Sequence, residues 1–323
     1  MLLNKMLLTI IIPMYNVSQY LEKCIKNINI ENIDYEILMI NDGSPDNSLE
    51  LAGQLKAVKP NIKILSQENK GLGGARNLGI KNAIGKYILF LDADDILIKQ
   101  DYKFLEEEHA DIIEFSSRNV NESQNIISEF NANNVKECID GILYAKNNPS
   151  MFSACNKLYS NRFLKANNLF FKEHIYIEDF EFNTRAFILT KCLKSYNSII
   201  QHFVQMPNSI TRNNDKIRKL KLVNDMIIVA HSINTFKENN NISNSTFIEE
   251  RLTWLTVDII YHSLKNNLGN IFLNEKINEL KKNDLYRTNV KLKNINKERF
   301  RKLLNFPLGL SIIVFFLNLK YGD

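Results

Sequence analysis

The chain has 323 residues and a hydrophobic fraction of 45%, which is ordinary for a globular protein and allows one large domain or two modest ones. Its net charge of +5 is unevenly distributed, because residues 281–302 contain nine Lys or Arg against two acidic residues. This basic patch indicates a local anionic partner, but no nucleic-acid recognition motif accompanies it. The cysteines form no C-x-x-C pair, which argues against a zinc site or a disulfide framework and favours reduced thiols in the cytoplasm: Cys24, Cys138, Cys155 and Cys192.

The first part of the chain alternates strands and helices. The apolar start imitates a signal peptide, but it is short and no small-residue cleavage site follows, so a buried strand is the better interpretation. Ser18 is a candidate cap for the first helix, and Asn47 with Glu50 suits a capping box for the second. This alternation predicts an α/β fold with a mostly parallel sheet and flanking helices. The predicted strands are Leu7–Ile12, Tyr35–Ile40, Ile62–Leu65, Tyr87–Leu91 and Asp111–Ser116.

The remainder of the chain is less regular. Residues 119–149 are polar and rich in asparagine, which predicts an irregular excursion before order resumes at Met151–Tyr159. A helix is predicted over Phe180–Lys191 and a strand over Ile199–Gln205, and the pattern is helical from Asp215 onward. We therefore predict two domains, residues 1–212 and residues 213–323.

An acidic cluster follows the fourth predicted strand, where Asp92, Asp94 and Asp95 lie within four residues. Three carboxylates so close repel one another unless a positive charge lies between them. A hard divalent cation such as Mg²⁺ or Mn²⁺ suits such oxygen ligands. The alternative is an acidic turn that caps the next helix.

Other candidate residues also follow predicted strands, where parallel sheets bind ligands. Tyr15 could stack on a nucleobase or be a rim tyrosine, and Asp42 could bind a base or be a turn residue. Residues 71–76, Gly-Leu-Gly-Gly-Ala-Arg, depart from the G-x-G-x-x-G pattern because Arg76 occupies the third glycine position. This segment is either a close-packed helix entry or a diphosphate site that includes Lys70 or Arg76.

Glu178 and Asp179 open a predicted helix. Acidic residues are favourable at the positive end of a helix, which is one explanation for them. The other is a carboxylate general base that points into the cleft.

Taken together, these motifs resemble the family 2 glycosyltransferases with the GT-A fold, of the type that builds bacterial polysaccharides. The resemblance covers roughly residues 7 to 211, and residues 153–159, Ser-Ala-Cys-Asn-Lys-Leu-Tyr, also look like a segment that these enzymes carry before the acceptor site. Five motifs carry it in order: residues 10–16, residues 41–48, residues 69–77, residues 91–95 and residues 178–179.

The resemblance implies an inverting, metal-dependent transfer from a nucleotide sugar, usually UDP-linked, to a glycan or polyprenyl-linked acceptor. Asp94 would be the main ligand of Mn²⁺ or Mg²⁺ with Asp92 assisting, and Asp179 would be the catalytic base with Glu178 in support. One departure is that the strand before residues 208–211 lacks the usual arginines and carries His202 instead. The donor site would include Pro13, Tyr15, Asn16, Asp42, Lys70, Arg76 and Asp92.

The C-terminal segment from Phe306 to Leu319 is strongly apolar but shorter than a membrane span. It is either a buried core helix or, with the basic stretch before it, a helix that lies on an anionic membrane surface. The second interpretation predicts a cytoplasmic enzyme at the inner face of the cell membrane. Two other functions stay open, a nucleotidyltransferase and a non-catalytic sugar-nucleotide-binding protein.

Overall fold

A computed structural model of the chain describes residues 6–205, 215–242, 245–306, 308–312 and 315. The chain divides into two compact units, Met1–Pro207 and Asn208–Asp323. The predicted domain boundary near residue 212 and the segment 208–211 lie outside the described residues.

The first unit alternates strands and helices in its first 90 residues, in agreement with the sequence pattern. The predicted strand at the N-terminus is present as β1, and all seven of its residues are buried. In chain order the elements are β1 (Leu8–Met14), α1 (Ser18–Asn27), β2 (Tyr35–Asp42), α2 (Ser48–Val58), β3 (Ile62–Gln67), α3 (Gly71–Asn82), β4 (Tyr87–Phe90), β5 (Ile96–Leu97), a 3₁₀ turn (Lys103–Glu106), β6 (Ile112–Val120), β7 (Ile126–Phe130), β8 (Val135–Ile139), α4 (Gly141–Asn147), β9 (Lys157–Ser160), α5 (Asn161–Ala166), α6 (Glu178–Leu189) and β10 (Leu193–Val204).

The ten strands form one sheet in the order β3-β2-β1-β4-β9-β6-β10-β5, with β7 on β6 and β8 on β10. β1 is parallel to both β2 and β4, β2 is parallel to β3, and β6 is parallel to β10. β9 joins the two parallel groups because it is antiparallel to both β4 and β6. The loops after β1, β2 and β4 therefore leave the same edge of the sheet.

Close packing of α3 on the sheet depends on glycine. A Cβ atom on Gly79 would lie 2.5 Å from the Ile11 side chain, a distance that real Cβ atoms do not adopt. Because interiors are packed to nearly crystalline density, a larger residue here would displace the helix that carries Arg76.

The prediction of an irregular excursion over residues 119–149 is wrong. β7, β8 and α4 lie in that segment, and β7 and β8 pair antiparallel with β6 and β10. β7 is almost entirely exposed, so the segment forms an edge strand with little buried area although its overall composition is polar.

The prediction that all cysteines are reduced is also wrong for one pair. Cys138 in β8 and Cys192, immediately before β10, form a disulfide, with their Cα atoms 4.4 Å apart. The antiparallel pairing of Leu193 with Ile139 brings these positions together across 54 residues of chain. Cys24 and Cys155 are free and buried.

The second unit is helical, as predicted. Its helices are α7 (Lys216–Asn239), α8 (Thr246–Lys265), α9 (Asn270–Lys282) and α10 (Ile295–Leu304). Within this unit α8 packs against the other three helices. Among the described residues, no helix combines the length and apolar character that crossing a membrane would require.

Candidate active site

The loops after β1 and β2 are fastened together by Asp46, which the sequence did not single out. Its carboxylate accepts hydrogen bonds from the hydroxyl groups of Ser44 and Ser48, both at 2.6 Å, and from the backbone N–H groups of Ser48 and Ser18. Burial would raise the pKa of Asp46, but these donors outweigh it and hold the pKa well below its usual range. The predicted side-chain caps at Ser18 and Asn47 are absent.

Tyr15 and Asn16 lie in the loop that Asp46 organises. The Tyr15 side chain is 52% exposed, so a large aromatic surface faces solvent beside the end of β1. Asn16 has a left-handed backbone conformation, with φ of 56°, and its N–H donates to Ser44 Oγ at 2.7 Å. Pro13 lies within β1 and is buried.

Asp42 lies at the end of β2 and is 2% exposed. Its Oδ1 atom accepts hydrogen bonds from Gln67 Nε2 at 2.7 Å and from the Lys70 backbone N–H at 2.9 Å. Asp42 therefore joins the ends of β2 and β3 to the start of α3. The Lys70 side chain is half exposed and lies 3.9 Å from the carboxylate of Glu173.

The glycines of residues 71–74 serve close packing. Gly71 has φ of 74°, and a Cβ atom on Gly73 would lie 2.3 Å from the backbone oxygen of Lys172. These contacts agree with the close-packed helix entry, one of the two interpretations of this segment.

Arg76 lies at the centre of a buried cluster of charges. Its side chain is 1% exposed, and Nη2 donates to Asp92 Oδ1 at 2.9 Å. Nη1 donates to Glu178 Oε1 at 3.0 Å and also to Asp179 Oδ1. One interpretation of the sequence placed Lys70 or Arg76 near a diphosphate. In the structure the guanidinium of Arg76 binds three carboxylates of the protein. It is also flanked by the rings of Phe90 and Phe171.

Glu178 and Asp179 begin α6, as predicted. The residue before them, Ile177, has a left-handed conformation with φ of 57°, which is unusual for a β-branched residue and is typical of functional sites. The side chain of Asp179 is 22% exposed and that of Glu178 only 10%. Asp179 Oδ2 accepts a hydrogen bond from the Ala154 N–H at 2.9 Å.

The pKa values of both carboxyl groups are raised. Burial and the neighbouring Asp179 raise the pKa of Glu178 to about 7, although Arg76 opposes the shift. Burial also raises the pKa of Asp179, against the opposing effects of Arg76 and the Ala154 N–H. A carboxyl group with a pKa near neutrality, such as that of Glu178, can exchange protons at physiological pH.

The three aspartates after β4 have different environments. Asp95 is buried and accepts hydrogen bonds from Gln201 Nε2 at 2.8 Å and from the Val204 N–H at 2.9 Å. Its role is therefore structural, because it connects the loop after β4 to β10. No other described residue forms a hydrogen bond or ion pair with the side chain of Asp94. Burial and the neighbouring Asp92 raise the pKa of Asp94 to about 6.

The fit to a divalent cation rests on Asp94 and Asp92. Within the described part of the chain, no three His, Cys, Asp or Glu side chains are grouped so that they could hold a metal ion. No cation among the described residues is paired with Asp94, and hard cations such as Mg²⁺ are commonly bound by one or two carboxylates together with substrate phosphates. This carboxylate set therefore suits an ion whose coordination the substrate completes.

Two further features bear on the site. Glu114 and Lys157 form a fully buried ion pair behind Asp179. Glu114 was not recognisable from the sequence, because a lone acidic residue in a strand pattern indicates an outward-facing side chain. His202 lies opposite Arg118 in the parallel pairing of β10 with β6, and burial together with Arg118 lowers its pKa.

Residues 9–167 match the family described as glycosyl transferase family 2. This segment, just under half of the chain, belongs to that family. The predicted family and the predicted α/β fold class are thereby confirmed.

Relatives of the chain include the uncharacterized glycosyltransferase EpsJ of Bacillus subtilis, which is 32% identical over 216 residues. That match covers 64% of this chain and 63% of EpsJ. Glycosyltransferase GlyA of Streptococcus pneumoniae is 40% identical over 123 residues, which are 36% of this chain and 18% of GlyA. The chain thus spans less than two thirds of the length of these relatives.

Solved structures support the fold. Residues 1–349 of TarS from S. aureus, in complex with UDP-GlcNAc, superpose with a TM-score of 0.62 and 18% identity over 93% of each chain. The mannosyltransferase PcManGT from Pyrobaculum calidifontis, in complex with GDP-Man and Mn²⁺, gives a TM-score of 0.53 and 12% identity, over 96% of this chain and 87% of that one.

Proposed function

We propose that the protein is an inverting glycosyltransferase that moves a sugar from a nucleotide sugar, in particular a UDP-sugar, to a hydroxyl group of a glycan or polyprenyl-linked acceptor during cell-surface polysaccharide synthesis. Residues 1–212 would be the catalytic domain and residues 213–323 a helical accessory region. The observation that carries the proposal is the Arg76 cluster, because it joins Asp92, at the end of β4, to the acidic pair that begins α6.

The cluster suits proton transfer from an acceptor. Asp179 is the better candidate base because its side chain is more exposed than that of Glu178 and is held from both sides by Arg76 and the Ala154 N–H. As the acceptor oxygen bonds to the anomeric carbon, its proton passes to Asp179 and the bond to the leaving diphosphate breaks on the opposite face. The anomeric centre is inverted, and no nucleophile from the protein is required.

The donor would lie along the loops that Asp46 and Asp42 fasten. Tyr15 is exposed enough to stack on a base, and Asp42 lies at the end of the neighbouring strand. The UDP-GlcNAc complex of TarS supports a UDP-sugar as donor. Mn²⁺ or Mg²⁺, held by Asp94 and Asp92, would stabilise the negative charge that grows on the leaving diphosphate.

A panel of nucleotide sugars tests the proposal through nucleoside diphosphate release with and without EDTA. We expect release from a UDP-sugar, its loss in EDTA, and near-complete loss in Asp94→Asn. Asp34→Asn is a matched control, because Asp34 is an exposed aspartate at the opposite edge of the sheet. Full turnover in EDTA or by Asp94→Asn would refute the metal role. Pyrophosphate release from a nucleoside triphosphate and a sugar phosphate would instead identify a nucleotidyltransferase.

We further propose that the enzyme works at the inner face of the cell membrane. Arg287, Lys297 and Arg301 form ion pairs inside the second unit, so they do not contribute to an outer patch. The cations of residues 281–302 that remain exposed are Lys281, Lys282, Lys291, Lys293, Arg299 and Lys302.

The outer face of α10 combines exposed charge with exposed apolar side chains. At 100° per residue, Ile295, Arg299, Lys302 and Leu303 project within an arc of about 100°. Ile295 is 68% exposed and Leu303 is 48% exposed, and Phe306, two residues after the helix ends, is 70% exposed. Such a mixture suits an anionic lipid surface. The predicted membrane contact of the segment 306–319 lies largely outside the described residues.

A further inference from the structure

A fully buried ion pair lies behind the candidate base. Glu114 of β6 and Lys157 of β9 face each other in the antiparallel pairing of their strands, and both side chains are 0% exposed. Lys157 Nζ lies 2.9 Å from Glu114 Oε1. Removing two charges from water is so costly that a buried ion pair contributes little net stability, so stability alone is a weak explanation for this pair.

The pair binds the backbone of the loop between α4 and β9. Lys157 Nζ donates to the carbonyl oxygen of Met151 at 2.9 Å and to that of Ser153 at 2.8 Å. Glu114 Oε1 accepts hydrogen bonds from Ser150 Oγ and from the Met151 N–H, both at 3.0 Å. Both charged side chains therefore hold the same stretch of backbone.

A third side chain, that of Asn183 in α6, also binds this stretch of backbone. Asn183 Nδ2 donates to the carbonyl oxygen of Phe152 at 2.6 Å, while Asn183 Oδ1 accepts a hydrogen bond from the hydroxyl group of Tyr159. Three consecutive carbonyl groups of the loop are thus bound by side chains. The next backbone N–H, that of Ala154, donates to Asp179 Oδ2.

We propose that Lys157, held by Glu114, is a positioning residue that fixes residues 151–153 so that the Ala154 N–H orients the Asp179 carboxylate. The inference rests on the proposed function, in which Asp179 is the base. Asp179 has one oxygen on Arg76 and the other on Ala154, so loosening the loop frees the carboxylate to rotate. Small displacements of a reacting group cost large factors in rate.

The test is a double variant, Glu114→Gln with Lys157→Met, because it removes both charges and leaves neither one buried without a partner. The matched control is Glu108→Gln with Lys194→Met, which removes a partly buried ion pair of 2.9 Å between the segment before β6 and the start of β10. A second variant, Asn183→Ala, loosens the same loop at Phe152 and leaves the ion pair in place, so the test remains decisive if the double variant does not fold.

We expect the double variant to lower kcat by about 10- to 100-fold relative to the control, with unchanged affinity for UDP. The acidic limb of its pH–rate profile should move to higher pH, because losing an N–H donor disfavours the charged carboxylate. Hydrogen exchange at the Ala154 amide should become faster, and Asn183→Ala should change each quantity in the same direction by less.

Equal kcat values in the double variant and its control, together with unchanged exchange at Ala154, would overturn the proposal. A purely structural role would lower thermal stability without moving the pH–rate profile, and that result would also overturn it. If the wild-type protein transfers no sugar from any donor, the proposed function fails instead. The exchange of the Ala154 amide still reports whether the ion pair holds the loop.

Discussion

Replacing Arg76 with methionine tests the charge cluster at the centre of the site. Three carboxylates share this one buried guanidinium, and even in its presence the pKa of Glu178 is raised to about 7. Removing one partner of a buried ion pair typically costs about 3–5 kcal/mol. For a unit of about 200 residues, 1 kcal/mol lowers Tm by about 2–4 °C, so the variant should lose roughly 6–20 °C.

The loss of Tm in the Arg76→Met variant should become larger as the pH rises. Without Arg76, the pKa values of Glu178 and Asp179 should rise further above their unfolded values of about 4. A raised pKa of an acid means that the folded state prefers the protonated form, so stability is lost as pH rises through the folded-state pKa. The deficit in Tm should therefore be larger at pH 8 than at pH 5.

Thermal unfolding followed by circular dichroism at these two pH values measures the effect. Arg162→Met is the control, because Arg162 is an exposed arginine for which the described residues provide no ion pair. A Tm deficit that is equal at both pH values, or no larger than that of the control at pH 8, would refute the reasoning.

Three further predictions concern the base, the membrane face and the disulfide. Asp179→Asn should lower kcat by ~10²–10⁴ with UDP binding unchanged, and a larger effect of Glu178→Gln would exchange the two roles. Replacing Arg299 and Lys302 with Glu should weaken binding to phosphatidylglycerol vesicles, and so should added salt. If the wild-type protein does not bind these vesicles, the membrane proposal is wrong. Cys138→Ser removes the disulfide that closes a loop of 54 residues, and it should lower the free energy of unfolding, measured with denaturant, by about 4 kcal/mol. Free thiols at Cys138 and Cys192 in the wild type would contradict the pairing.

The sequence by itself determined the alternation of elements and the order of the motifs. Strands such as Leu8–Met14 are buried on both faces, so each is a continuous apolar run that is visible without any knowledge of its neighbours. The acidic groups after β4 and at the start of α6 were also recognisable, because they interrupt or follow such local patterns. These signals depend on residues that are close together along the chain.

Only the tertiary structure decided which charges meet. Arg76 is separated from Glu178 by 102 residues and from Asp179 by 103, and the same guanidinium could have faced a diphosphate as far as the sequence was concerned. Glu114 and Lys157 are paired by the register of two antiparallel strands, and Cys138 meets Cys192 through the pairing of β8 with β10. Local periodicity carries no information about register between distant segments, because register is set by the packing of the whole sheet.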